Sequence, residues 1–285
     1  MESWLEIGAK AVEYAATLLL VGAVGLRWVL VPQVRSTLYT SHSRVLRADA
    51  EGIFLGAAAL LIAGLALRVV AHTVAAFGFE EAWRWENLRV IAVESRWGGG
   101  WQRQCAVGAL VLATAMGARR LPALIPVTSV AAIAFCFVLP LLGHAAGEPS
   151  RVAIHGLHVL AAGLWVGTLS CMLIVRSDES RAVRAVLLQA FAPLAMGSVG
   201  FLLASGVVAA RTYLDAWSNL WTTEYGRLLL LKLAGVALVL ALGAANWWRM
   251  HRAGKPPHAR LARAEMIAAG LVVAVTAWLT ETAHP

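Results

Sequence analysis

The chain has 285 residues, of which 60% are hydrophobic and only 14% charged, and its mean hydropathy is +0.71. Soluble domains carry roughly 25% charged residues, so composition excludes a soluble globular protein. The formal net charge of +8 would suggest nucleic acid as a partner of a soluble chain. Here the basic residues are gathered into alternate loops between apolar runs, which makes charge a marker of membrane topology instead.

Backbone polar groups inside a hydrocarbon layer of ~30 Å must be satisfied within their own segment, so long apolar runs predict helices. The expected fold class is therefore all-α, a polytopic membrane helix bundle. Eight transmembrane helices are expected, spanning about 8–31, 53–77, 103–118, 122–142, 152–175, 187–211, 226–248 and 262–281. The first is led by acidic Glu2 and Glu6, whereas a cleavable signal is led by basic residues. The third is the shortest. The loop at 78–102 holds Trp83, Trp85, Trp97 and Trp101, and is expected to lie as an anchor at the membrane surface, where indole rings prefer to sit.

The loops after spans one, three, five and seven carry thirteen basic residues (among them Arg35, Arg47, Arg119, Arg184, Arg252 and Lys255) against five acids. The opposite loops and tails carry eight basic residues against eleven acids. The positive-inside rule puts the first set in the cytoplasm and both termini outside, in the periplasm if the membrane is a bacterial inner membrane. Arg27, Arg68 and Lys232 remain within spans. The three cysteines, Cys105, Cys136 and Cys171, occupy separate spans without CxxC spacing and read as buried thiols rather than a disulfide framework.

The spans read as two parallel four-helix halves, about 1–142 and 143–285, of one integral-membrane domain. Setting Gly22 on Gly167 aligns spans one and five and puts Glu13 where His158 lies. Spans two and six pair Gly64 with Gly206, and spans three and seven pair Trp97-Gly98 with Tyr225-Gly226. An even number of spans per half implies an axis along the membrane normal. The interface between halves is the natural place for a site.

Four of the eight histidines, His72, His144, His155 and His158, fall at one end of the predicted spans. The stretch GHAAGEPSRVAIHGLHVLAAGLWVG, from Gly143 to Gly167, puts three of them around one short loop. His155 and His158 are three apart and share a helix face, and Gly147 and Pro149 let the loop carrying His144 fold back. Imidazole suits copper, zinc, iron and nickel, so the ligands alone do not choose the metal. His72 follows Arg68 by one turn. An intramembrane arginine needs an anion, and Glu13 is the expected partner; Glu13 or His72 would complete the metal site. Lys232 is expected to snorkel or pair, and with Arg68 and Tyr225 it forms the expected charge network. Glu265 is expected to pair with Arg263 or to neutralise the basic loop. No methionine cluster lies near the histidines, so the soft ligands that select Cu(I) are missing there.

Further motifs carry a resemblance. AFAPLAMGSVGFLLASGVVAA, TTEYGRLLLLKLAGVALVLALGAANWWR and RAEMIAAGLVVAVTAWLTETAHP, over about 187–285, together with GHAA at 143–146 and HVLAAGLWVG at 158–167, resemble the copper-resistance protein D (CopD) family of inner-membrane proteins. The resemblance implies a chain that binds copper and moves it across the inner membrane or handles it there. It maps the family's imidazole motifs onto His144 and His158; His155 and His72 are added from spacing. It also implies a partner, a periplasmic CopC-like copper donor, expected here as a separate polypeptide.

Copper taken at the outer face and passed inward is thus the leading expectation, with no enzymatic step. Uptake would weaken below a pH of about 6, because imidazole must be neutral to ligate. The alternatives are a b-type haem or quinone-linked redox protein, with histidines on opposing helices as axial ligands, and a non-catalytic assembly partner for a copper enzyme. Phosphate and hydrolytic chemistry finds no support, since the sequence has no Walker-type loop, GxSxG or HExxH.

Overall fold

Glu2–Gly25 forms helix α1, which passes without a break through a widened π turn, Leu26–Leu30, into α2 (Val31–Thr37). This is a computed structural model, and it describes residues 2–37, 40–143, 145–175, 181–214, 216–252 and 259–282. The elements that follow are α3 (Thr40–Phe77), α4 (Trp85–Arg89), a second π turn (Val90–Glu94), α5 (Arg96–Ala118), α6 (Ile125–Val138), α7 (Pro149–Ala162), a third π turn (Gly163–Gly167), α8 (Thr168–Ile174), α9 (Arg181–Tyr213), α10 (Asn219–Thr222), α11 (Glu224–His251) and α12 (Ala259–Leu279). No strand occurs among the described residues, as expected for an all-α membrane bundle.

Six helices among the described residues are long and apolar enough to cross a membrane: Trp4–Thr37, His42–Phe77, Pro122–Leu142, Pro149–Ile174, Ala182–Tyr213 and Glu224–Arg249. The expected third and eighth spans are present as helices α5 and α12 but fall outside these six. Each has charge near one end, Arg96 and Arg103 in α5 and Arg260, Arg263 and Glu265 in α12. α3 starts at Thr40, thirteen residues before the expected span, because Ser43–Glu51 contains neither Gly nor Pro and extends the helix beyond its apolar part.

The chain divides into two compact units, Met1–Ala209 and Ala210–Pro285. In the first unit α1 is the hub, packing against α3, α6 and the 163–174 stretch, while α5 packs against both α3 and α6, and α6 against α7. Small residues allow the closest crossing. A Cβ on Gly22 would collide with the backbone of Gly167, and one on Gly167 with the carbonyl of Leu18. Close backbone approach through glycine is the usual way for apolar helices to associate in lipid, where no hydrophobic driving force acts between them. At the end of α6 the Leu139–Leu142 turn leaves carbonyls without helical partners. Buried Gln104 of α5 donates to two of them, Val138 O (3.2 Å) and Leu139 O (2.9 Å). Cys136 and Cys171 are buried free thiols and Cys105 a half-buried one.

In the second unit α11 and α12 run antiparallel, with Gly235 against Val272 and Gly243 against Glu265. Leu214, Leu228, Leu229 and Leu279 form its core, with Tyr225 packed on it.

One local motif occurs in both units. Ser95 Oγ donates to Ile91 O (2.6 Å) and accepts from Gly98 N–H (2.8 Å) at the start of α5. Thr223 Oγ1 donates to Asn219 O (2.7 Å) and accepts from Gly226 N–H (3.0 Å) at the start of α11. Both are N-caps that hold a preceding short helix against the new one, and in both a Cβ on the glycine would strike the carbonyl of the residue seven earlier.

Candidate metal-binding site

Gly147 has φ +100°, a conformation that glycine adopts without steric cost, and Pro149 opens α7 at a position where a helix needs no N–H. Arg151 and Glu148 pair across this entry at 2.6 Å. One turn further on stands His155, and one more turn brings His158; both are half-buried. His144 lies outside the described residues.

The hydrogen bonds of the two rings fix their tautomers. His155 Nδ1 lies 2.9 Å from the carbonyl oxygen of Arg151. A carbonyl only accepts, so Nδ1 carries the proton and Nε2 the lone pair. His158 Nδ1 lies 2.8 Å from Ser205 Oγ of α9, and that hydroxyl donates its own proton to Phe201 O at 2.8 Å. The serine oxygen is then the acceptor for His158 Nδ1–H, and again the lone pair falls on Nε2. Gly206 leaves room for this ring, its absent Cβ being 4.0 Å from His158 Cε1. An imidazole that donates one N–H to a fixed oxygen and presents the other nitrogen is the usual form of a metal-ligating histidine.

A second group forms between α1, α3 and α5. Arg68 Nε is 3.6 Å from Glu13 Oε2, with side chains 3% and 2% exposed, so the intramembrane arginine meets the anion the sequence assigned to it. Gly64 lies against the backbone of Glu13, which brings α1 and α3 close enough for the pair. One turn along α3, His72 Nδ1 donates to Glu6 Oε1 at 2.8 Å. The His72 ring stacks on Trp97 with centroids 4.3 Å apart and planes 12° from parallel, and Arg68 Cζ stands 6.0 Å from the same indole. Lys10 is buried one turn from Glu6 and Glu13. The Nδ1–H of His72, like that of His155, faces an oxygen acceptor, here a carboxylate.

The candidates stand in these two groups. Among the described residues no three His, Cys, Asp or Glu side chains gather closely enough to hold a metal ion. Glu13 is directed to Arg68 and His72 to Glu6. Arg68 belongs to the first unit and Lys232 and Tyr225 to the second. Lys232 is half-buried on α11 and makes no ion pair among the described residues. Glu265 does not turn to Arg263, which is exposed; its carboxylate lies against Gly243. Sequence reasoning missed Glu6, Lys10, Trp97 and Ser205. The spacing of Glu6, Lys10 and Glu13 at i, i+4 and i+7 was a signal, since it puts all three on one helical face. Ser205 gave none, because its part depends on the rotation of α9.

Six helices long and apolar enough to cross a membrane define a polytopic helical membrane protein. Residues 1–151 match the family model described as Copper resistance protein D-like, N-terminal domain, and residues 185–279 match Copper resistance protein D. The chain belongs to the copper resistance protein D family, and its long apolar helices make it a multi-pass membrane protein. It is 29% identical over 142 residues to a curated relative, copper transport protein CutJ of Bacillus subtilis (strain 168), a match covering 47% of this chain and 26% of that protein. The matched stretch is thus about a quarter of that relative's length. No solved structure matches the chain.

Proposed function

We propose that the chain takes up copper at the histidine-rich end of α7, through Nε2 of His158 and His155 together with His144, and passes it towards the basic loops. His72, its Nδ1–H facing Glu6, is a further imidazole for the cargo at that end. Glu13 serves by balancing Arg68 and so keeping α1 and α3 together. The observation that carries this reading is the pairing of His158 Nδ1 with a serine hydroxyl whose own proton is engaged elsewhere. That arrangement presents the ring as a neutral ligand of fixed orientation.

The charge bias of the loops puts the histidine-rich end and both termini outside, in the periplasm, and the basic loops in the cytoplasm of a bacterial inner membrane. A periplasmic CopC-like protein is the proposed donor, and the reading needs no enzymatic step. Copper binding is expected to weaken as pH falls below about 6, because protonated imidazole does not ligate. The test compares copper retained after loading and desalting by the parent protein and by a Ser205→Ala variant. Equal affinity in the two would remove the role given to this hydroxyl.

A further inference from the structure

Glu265 stands near the start of α12, at the end where the basic loop joins it to α11. It is only 6% exposed. Its carboxylate faces Gly243 of α11, where an added Cβ would lie 3.0 Å from Oε1. Among the described residues it forms neither a hydrogen bond nor an ion pair. The cations nearest in sequence do not reach it. Arg260 and Arg263 are exposed on α12. On α11, Arg249 is six residues past Gly243, about 9 Å along the axis, and Lys232 eleven residues before it, about 16 Å. The other polar side chain buried on that face is Asn246, one turn beyond Gly243.

A carboxylate withdrawn from water costs several kcal/mol unless a cation accompanies it. An ionisable group kept inside a membrane segment typically marks an ion or proton path. Among the described residues Glu265 has no fixed cation, and its carboxylate packs into the gap left by the missing side chain of Gly243.

We propose that Glu265, buried against Gly243, is an exchange site where the copper cargo and a proton replace each other before release to the basic-loop side. The carboxyl O–H bond breaks, its proton leaves to water, and copper takes a contact to the freed oxygen, with no change of oxidation state. Oxygen donors hold copper less firmly than imidazoles do, which suits a release point. This inference rests on copper being the cargo of the α7 histidines, and its test separates the two.

The experiment uses the full-length protein in detergent and then in sealed vesicles, as parent, Glu265→Gln, Glu265→Asp and His158→Ala. In weakly buffered detergent solution, copper chloride is added under reducing or non-reducing conditions, and bound copper and released protons are counted. Glu265→Gln is expected to bind less copper and release fewer protons than the parent, with high-affinity binding at His158 intact. His158→Ala is expected to lose the high-affinity component instead, and Glu265→Asp to recover part of the Glu265 component. In vesicles with a trapped pH dye, Glu265→Gln is expected to slow copper entry by roughly tenfold or more and to abolish the accompanying pH change. Parent-like copper binding and proton release by Glu265→Gln would overturn the proposal. A parent that shows the Glu265-dependent exchange in detergent but no flux in vesicles would keep the site and remove translocation.

Discussion

One hydroxyl decides how His158 presents itself. Ser205 gives its proton to Phe201 O and takes that of His158 Nδ1, so the ring's lone pair is on Nε2. Ser205→Ala removes the acceptor while leaving the backbone of α9 unchanged. Copper affinity is then expected to fall by about 10–100-fold in a titration against a competing chelator, with the melting temperature in detergent nearly unchanged. The buried Arg68–Glu13 pair makes a different prediction. Arg68→Met leaves a buried carboxylate without its cation and is expected to cost about 3–5 kcal/mol, whereas Arg68→Met with Glu13→Leu is expected to be close to neutral. Thermal unfolding of both variants in the same detergent checks the order; a double variant no more stable than the single one contradicts it. This pair was legible in the sequence, because an arginine in an apolar run demands an anion and span one offered Glu13. The stacking of His72 on Trp97 was not legible. Trp97 falls in a stretch that reads as surface loop, and only the start of α5 at Arg96 turns it onto a helix face.

Helix α1 is the element on which the first unit depends, and glycines set its distance from its neighbours. Gly22 meets Gly167, Gly64 meets the backbone of Glu13, and Gly206 meets the ring of His158. Each is a position that the alignment of the two halves matches to another: Gly22 with Gly167, Gly64 with Gly206, Glu13 with His158. Together with the twin caps at Ser95 and Thr223, these contacts support the proposal of two related halves. Gly167→Leu is expected to destabilise by about 1–3 kcal/mol or more through overpacking against α1, while Gly56→Ala, where nothing lies within 4 Å, is expected to be neutral or to stabilise by up to about 1 kcal/mol. Equal melting temperatures for the two variants would contradict the close crossing. The apolar runs made the existence of these helices legible. Their ends were less so: α3 continues for three turns beyond the membrane-length run, because charged helix formers such as Arg44, Arg47 and Glu51 prolong a helix without extending its hydropathy.

At the scale of the whole molecule, the proposed inward traffic rests on the alternation of basic and acidic loops. The proposed topology requires α5 to cross despite Arg96 and Arg103. In an otherwise cysteine-free chain, Glu86→Cys and Arg120→Cys lie on opposite sides of α5. An impermeant thiol reagent applied to intact cells is therefore expected to label Glu86→Cys and not Arg120→Cys, and labelling of both or neither would show that α5 does not cross. The membrane class and the copper reading were legible because composition and short motifs carry them. The arrangement of candidate ligands into two groups was not, since spacing along a helix gives a shared face but not which neighbour that face meets. The central claim is that the α7 histidines bind the cargo. The measurement that tests it most directly is the copper content and visible spectrum of purified, copper-loaded and desalted protein beside a His144→Ala/His158→Ala double variant. The account predicts copper retained by the parent, lost in the variant, and no Soret band in either. Copper retained by the double variant, or a Soret band in the parent without copper, would contradict it.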